Sequence, residues 1–369
     1  MYGFNYRNLY VVYSYFFYIL VIYLLENMEK AFLNHAIIEL TSDCNLRCKH
    51  CYNWWKQEGM NMERLGSFRK AYLLLDYLIR KTTLSKVVFT GGEPTISERF
   101  IELVLHAKVN GVRVIVITNG NGEIKVYEQL AALQVNLMEF SILSFRPEIH
   151  DRITGVPGAW EKMMLSLQLM LGRGIEVVPV IVITALNYLY VGECIKRLCQ
   201  MGIRRFMVNR YNIGGEGLNQ PMQLSVGREA LHQVFGEVNE LASRYGLDVV
   251  SGVCTPHCLL DPVDYPFIRF GNCPTNVYNR PLTFDIVGNV RMCNHSPNIV
   301  GNVYRQPLPD ILFSSYACSW DSIVVENCRG CKKWNMCRGG CRAASEQVGG
   351  TLQQVDPIVK ELSLKPFIS

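Results

Sequence analysis

From Ala36 to Val208 short apolar runs alternate with helix-length amphipathic stretches, and this alternation admits few folds. The spacing predicts strands at Ala36–Leu40, Lys86–Thr90, Val112–Thr118, Leu137–Ile142, Glu176–Thr184 and Arg205–Val208. Helices are predicted near Met62–Arg80, Ser97–Lys108, Val126–Leu133, Trp160–Leu171 and Leu189–Met201. Repeated strand–helix units build a parallel sheet with helices packed on its outside. Six such units are too few to close an eight-stranded barrel. The expected fold class is therefore α/β, a partial, TIM-like (β/α)6 barrel open on one side. Chemistry in such folds sits at the C-terminal ends of the strands.

After Gly214-Gly215-Glu216-Gly217 the pattern changes. One more helix, near Gly227–Tyr245, leads into a stretch that holds Cys254, Cys258, Cys273, Cys293, Cys318, Cys328, Cys331, Cys337 and Cys341, nine of the chain's 14 cysteines. A hairpin is predicted there, between Leu282–Val287 and Val290–Met292 around Gly288. The expected organisation is an apolar segment at 1–27, the barrel at 28–217, a connecting helix and strand at 218–253, and a cysteine-rich module at 254–369. A chain of 369 residues buries a core without disulfide staples. No cleavable secretory signal is evident, so cysteines clustered at short intervals point to metal and to a reducing, cytoplasmic setting. The net charge of +5 is spread along the chain rather than gathered in basic runs, and nucleic acid is not implied as a partner.

Leu9 to Leu25 is apolar and aromatic apart from Ser14. Seventeen residues fall short of the ~20 that span a bilayer. A membrane tether by residues 9–25 is one reading; the preferred one is that translation starts at Met28, which leads almost directly into the first strand.

The segment Cys44-Asn45-Leu46-Arg47-Cys48-Lys49-His50-Cys51-Tyr52 places three cysteines as CxxxCxxC in a loop just after a strand. Three thiolates hold three irons of a cubane and leave the fourth iron open to a cofactor. The bland alternatives are a zinc site and a cluster that only carries electrons. Zinc wants a fourth ligand, and the only local one is His50, wedged between two cysteines where its ring cannot easily reach the same metal.

With this motif the sequence resembles the radical S-adenosylmethionine superfamily, although His50 stands where an aromatic residue is usual. The resemblance implies a 4Fe-4S cluster on Cys44, Cys48 and Cys51 that binds S-adenosyl-L-methionine. Gly91-Gly92-Glu93-Pro94, after the second strand, matches the segment that receives the methionine amino group, so Gly91, Gly92 and Glu93 carry over. Ser141 and Lys162 match positions that hold the cofactor's carboxylate or ribose, though Leu143-Ser144 replaces the usual Asp-Gly pair. Asn187, and Asn209 with Gly214-Gly215, are expected near ribose and adenine.

The stretch from Cys254 to Val359 resembles the SPASM module, which carries auxiliary iron–sulfur clusters. That likeness implies one or two such clusters: the first on Cys273, Cys293 and Cys341 with Cys254 or Cys258 upstream, the second on Cys328, Cys331 and Cys337. The family's final cysteine is replaced by Val359, leaving Asp356, Cys318 or an open iron for the fourth position. Cys194 and Cys199 are read as buried core thiols.

The implied activity is a radical oxidoreductase that cleaves S-adenosylmethionine to a 5′-deoxyadenosyl radical and removes two electrons from its substrate. Sulfatase maturation needs an aspartate base after the cysteine of Gx4C; Asn294 stands there, and a neutral amide cannot take the proton. Side-chain cross-linking of a ribosomally made precursor peptide is the preferred expectation, with haem or quinone cofactor maturation as the alternative. Partners implied are the precursor peptide, an electron donor such as flavodoxin or ferredoxin, and a separate leader-binding protein, because the segment before Ala36 is too short and apolar to read a leader.

Overall fold

Six strands stand where the alternation puts them: β1 His35–Glu39, β2 Lys86–Thr90, β3 Arg113–Thr118, β4 Leu137–Ser141, β5 Val177–Ile183 and β6 Arg205–Arg210. They are seen in a computed structural model that describes residues 30–56, 67–274 and 280–364; the apolar segment 1–27 and positions 62–66 of the first predicted helix lie outside it. Each strand pairs in parallel with the next, from Ala36↔Val87 through Val180↔Met207. All their C-terminal ends therefore open on one rim.

The sheet does not stop at six. β7 Asp248–Ser251 and β8 Ile268–Phe270 add in parallel beyond β6. On the other side β9 Leu282–Asp285 lies parallel to β1, followed by the antiparallel β10 Asn289–Arg291 and β11 Gly301–Asn302. β9 and β10 are the predicted hairpin, turned by Gly288 at φ +87. The sheet is an open, curled one of 11 strands with the barrel strands in its middle.

Period-two burial divides the strands into two faces. Val114, Val116, Met138, Phe140, Ile181 and Ile183 are fully buried under the helices, while Ile115, Ile117, Glu139, Ser141, Val180 and Val182 are half-buried on the other, inner face. The first covering helix, Phe68–Lys81, buries Ala71, Leu74, Leu75 and Leu78 at helical spacing. Ser67 caps it by accepting the Lys70 amide. Glu39 on β1 and Arg291 on β10 form a buried ion pair that ties the barrel to the appended hairpin.

Two boundaries differ from expectation for a physical reason. β6 runs on to Arg210, because Asn209 and Arg210 are polar yet paired and buried, against Val182 and Ile183. A separate helix, Pro147–Thr154, precedes Ala159–Gly172; Pro147 starts it and Gly155, at φ +74, ends it. Among the described residues no helix is long and apolar enough to cross a membrane.

Candidate functional site

The loop after β1 carries Cys44, Cys48 and Cys51 and is fixed from outside. The Arg47 and Lys49 amides donate to the carbonyls of Thr154 and Ile153, 2.9 and 3.0 Å away, so the end of helix Pro147–Thr154 braces it. Asn119, at the end of β3, donates to the Cys44 sulfur at 3.7 Å and to Asn45 at 2.8 Å. Burial pushes all three thiols up; Cys51 and Cys44 push Cys48 further, while the Lys56 ammonium favours each thiolate. His50 is half-buried beside His150; desolvation and then His150 lower it to about 4, which keeps its ring neutral.

The loop after β2 dovetails with the cysteine loop. Gly91 has φ +139, and a Cβ there would lie 2.4 Å from the Thr41 carbonyl oxygen; at Gly92 it would lie 2.0 Å from that of Asp43. Gly92 and Glu93 donate to those same carbonyls, at 2.6 and 2.9 Å. Gly92→Ala is therefore expected to lower folding stability by about 1–3 kcal/mol, the usual cost of overpacking; an unchanged thermal melting temperature would contradict the close approach. Glu93 is buried with both oxygens used inside the chain, accepting from the Thr95 amide and hydroxyl, the Thr118 hydroxyl and the Asn119 amide at 2.6–3.1 Å. It braces the ends of β2 and β3.

Ser141 ends β4, half-buried on the inner face. Lys162 is exposed on helix Ala159–Gly172, beside a cleft of about 300 Å³ that Asn121 and Gly122 also line. Asp151 caps that helix by accepting the Gly158 and Trp160 amides at 2.7 and 2.8 Å, and so fixes the start of the helix that carries Lys162. Asn187 differs from expectation: it accepts from the Thr184 amide and hydroxyl and donates to the carbonyls of Leu143 and Val182. Its amide has no hydrogen bond left for ribose. Asn209 likewise accepts from Gly252 and Val253. Gly215 presses on the cysteine loop, where a Cβ would meet the Cys51 and Asn53 carbonyls at 2.5 Å.

The other thiols form two groups. Cys254 hydrogen-bonds Cys273 and neighbours Cys341 and Cys293, and those contacts with burial raise it well above the thiol range. Cys273 shifts the other way, lowered by the Cys254 hydrogen bond and by Arg342 and Arg280. Asn212 donates to the Cys341 sulfur and the His295 amide to that of Cys293, both at 3.4 Å. The second group is Cys328, Cys331, Cys337 and Cys258, whose mutual influence with burial raises Cys328 to about 11. Cys318 is exposed and donates to the Phe313 carbonyl. Cys194 and Cys199 are buried on helix Val191–Gln200.

Contacts that the sequence does not show join these groups. Asn294, next to Cys293, donates to the Tyr52 hydroxyl at 2.7 Å, and Tyr52 follows Cys51 directly. Gln347 donates to the Tyr52 and His295 carbonyls and accepts from the Gly215 amide, at 2.6–3.0 Å. The module is thus seated on the first cysteine loop through Tyr52, Asn294 and Gln347.

The residues fit iron–sulfur clusters. All 14 cysteines are free of disulfides, and sulfurs in each group accept N–H donors, the contacts that tune cluster potentials. Among the described residues no three His, Cys, Asp or Glu side chains stand as close as the ligands of a single ion.

An open parallel barrel with thiols gathered at its rim and on an appended module defines an iron–sulfur enzyme. Residues 38–190 match the model of the Radical SAM superfamily. That stretch includes Cys44, Cys48 and Cys51, so the chain carries a Radical SAM domain, whose family binds a 4Fe-4S cluster and S-adenosylmethionine. It is 25% identical over 335 residues to PqqA peptide cyclase of Xanthomonas campestris pv. campestris, spanning 88% of this chain and 85% of that protein. Among solved structures it is similar to anSMEcpe with bound AdoMet, with TM-score 0.68, 15% identity, and coverage of 89% of this chain and 91% of that one. It is also similar to Streptococcus suis SuiB bound to precursor peptide SuiA, with TM-score 0.67, 16% identity, and coverage of 91% and 77%.

Proposed function

We propose that this enzyme oxidises a ribosomally made precursor peptide by two electrons and joins two of its side chains. The observation that carries this reading is the seating of the module on the rim. Cys51 and Tyr52 meet Asn294 and Cys293 through one 2.7 Å hydrogen bond, so an electron leaving a substrate radical has a short path to the first auxiliary group. The peptide comes from the relatives: one is a peptide cyclase and another was solved with a precursor peptide.

When bound, the cluster and S-adenosylmethionine supply a 5′-deoxyadenosyl radical able to take hydrogen from an unactivated C–H bond. The chain's own residues place the reactants. Cys44, Cys48 and Cys51 hold the first cluster, and the Gly91–Gly92 backbone receives the methionine amino group. Glu93 keeps that backbone in place through its contacts with β3. Ser141 and Lys162 take the carboxylate, and Asn187 holds the ends of β4 and β5 in register around them. The half-buried inner face of the open barrel receives the peptide and keeps bulk water from the reacting carbon.

We place the enzyme in the cytoplasm, where its thiols stay reduced. A flavodoxin- or ferredoxin-type donor supplies electrons, and a separate protein presents the leader. We take 28–217 as the radical core, 218–253 as its connection and 254–369 as the auxiliary module.

The test is anaerobic reconstitution with iron and sulfide, then dithionite, S-adenosylmethionine and a short peptide encoded beside the gene. The expected products are 5′-deoxyadenosine and a peptide two hydrogens lighter, with a linked pair of residues in its fragmentation spectrum. 5′-Deoxyadenosine with unaltered peptide would overturn the peptide reading; no 5′-deoxyadenosine from fully loaded protein would overturn the radical one.

A further inference from the structure

We propose that Cys258 is the fourth ligand of the second auxiliary cluster, with Cys328, Cys331 and Cys337, while Cys254 alone serves the first group from upstream. This rests on the iron–sulfur reading of the module and settles which thiol stands in for the missing cysteine.

The alternatives are engaged elsewhere. Val359 packs against the hydrophobic core. Asp356 is fully buried, pairs with Arg210, and accepts from the Cys341 and Ile358 amides at 2.8 and 3.1 Å, which sets it beside the other thiol group. Cys318, on helix Ser315–Ser322, has its sulfur turned to the Phe313 carbonyl.

Cys258 is carried to the second group by the fold. After Cys254 the chain turns at Pro256, whose carbonyl accepts the Leu259 and Leu260 amides at 2.9 and 3.1 Å. The turn parts the two thiols. Pro256 is packed so closely on Gly340 that a Cβ there would come within 2.6 Å of its ring. The next amide, of His257, donates to the Cys337 sulfur at 3.2 Å. Asp261 then pairs with Lys333, between Cys331 and Cys337, and Arg228 holds the Cys258 carbonyl at 3.0 Å. Cys258 is exposed, as Cys331 is, and its thiol is raised by partial desolvation and then by Cys337 and Cys331, as neighbours in one group do. The two clusters therefore draw on interleaved pairs: Cys254 and Cys341 serve one, Cys258 and Cys337 the other.

Iron and acid-labile sulfide are counted in full-length, anaerobically reconstituted protein carrying Cys44, Cys48 and Cys51→Ala, which leaves the auxiliary clusters alone, at about four irons each. Cys258→Ala is expected to lose or alter the same cluster signal in electron paramagnetic resonance as Cys331→Ala, to add nothing when combined with it, and to add fully to Cys293→Ala. Additivity with Cys331→Ala, or an unchanged iron count and spectrum, overturns the proposal. If the parent holds no auxiliary iron, both the proposal and the iron–sulfur reading of the module fall. A measurement on the unaltered protein guards against misfolded variants. With clusters loaded, Cys258 should resist alkylation while Cys318 reacts, and a chelator should expose it; a reactive Cys258 in loaded protein overturns the assignment.

Discussion

Protein in which Cys44, Cys48 and Cys51 are all replaced by alanine is expected to form no 5′-deoxyadenosine from S-adenosylmethionine and dithionite, while keeping its auxiliary iron. The three thiols stand on one loop braced from outside by the Ile153 and Thr154 carbonyls and by the Gly91–Gly92 backbone, none of which needs the cysteine side chains. The variant should therefore keep its melting temperature and lose about four irons, those of one cubane. Cleavage that persists would show that another thiol group starts the reaction and would refute the assignment of this loop.

The largest stability effect is expected at Asp356. Its carboxylate lies fully buried against Arg210, and Arg210 in turn donates to the Cys254 carbonyl at 2.7 Å. Asp356→Ala strands a buried guanidinium and removes the acceptor of the Cys341 amide, a loss expected to cost about 3–5 kcal/mol. Replacing both partners, as Arg210→Met with Asp356→Leu, should cost far less than the single change, since no charge is left unpaired. Denaturant titration of the two variants checks this; equal losses would mean that the hydrogen bonds to Cys254 and Cys341, rather than the charge, hold the site.

The barrel was legible because its strands are apolar runs with buried outward residues, such as Val87, Phe89, Val114 and Val116. The end of β6 was not, since Asn209 and Arg210 read as loop and are held in the ladder by partners far along the chain. Helix Pro147–Thr154 is too short, at eight residues, to stand out as a periodic stretch, and its Asp151 caps the next helix. Spacing alone put Cys44, Cys48 and Cys51 on one loop after a strand, and they stand there. Cys254 and Cys258 could not be told apart by spacing; the turn at Pro256 separates them. Asn187 looked like a ligand because a polar residue after a strand so often is one, and sequence does not show that its amide is saturated. Gln347 and Tyr52 gave no signal, for their contact joins positions nearly 300 residues apart.

The strand that bears the cysteine loop has one neighbour made early and one made late. β1 pairs with β2 on one side, but on the other its partner is β9, where Ala36 faces Leu282. At ribosomal speeds of ~5–20 residues per second, that edge stays bare for roughly 10–50 s of synthesis. An unpaired parallel edge is a template for association with other chains, and contacts this distant in sequence slow folding. The nascent barrel therefore depends on its last third to cover that edge, so that the rim takes its final shape only when the cysteine-rich module has been translated.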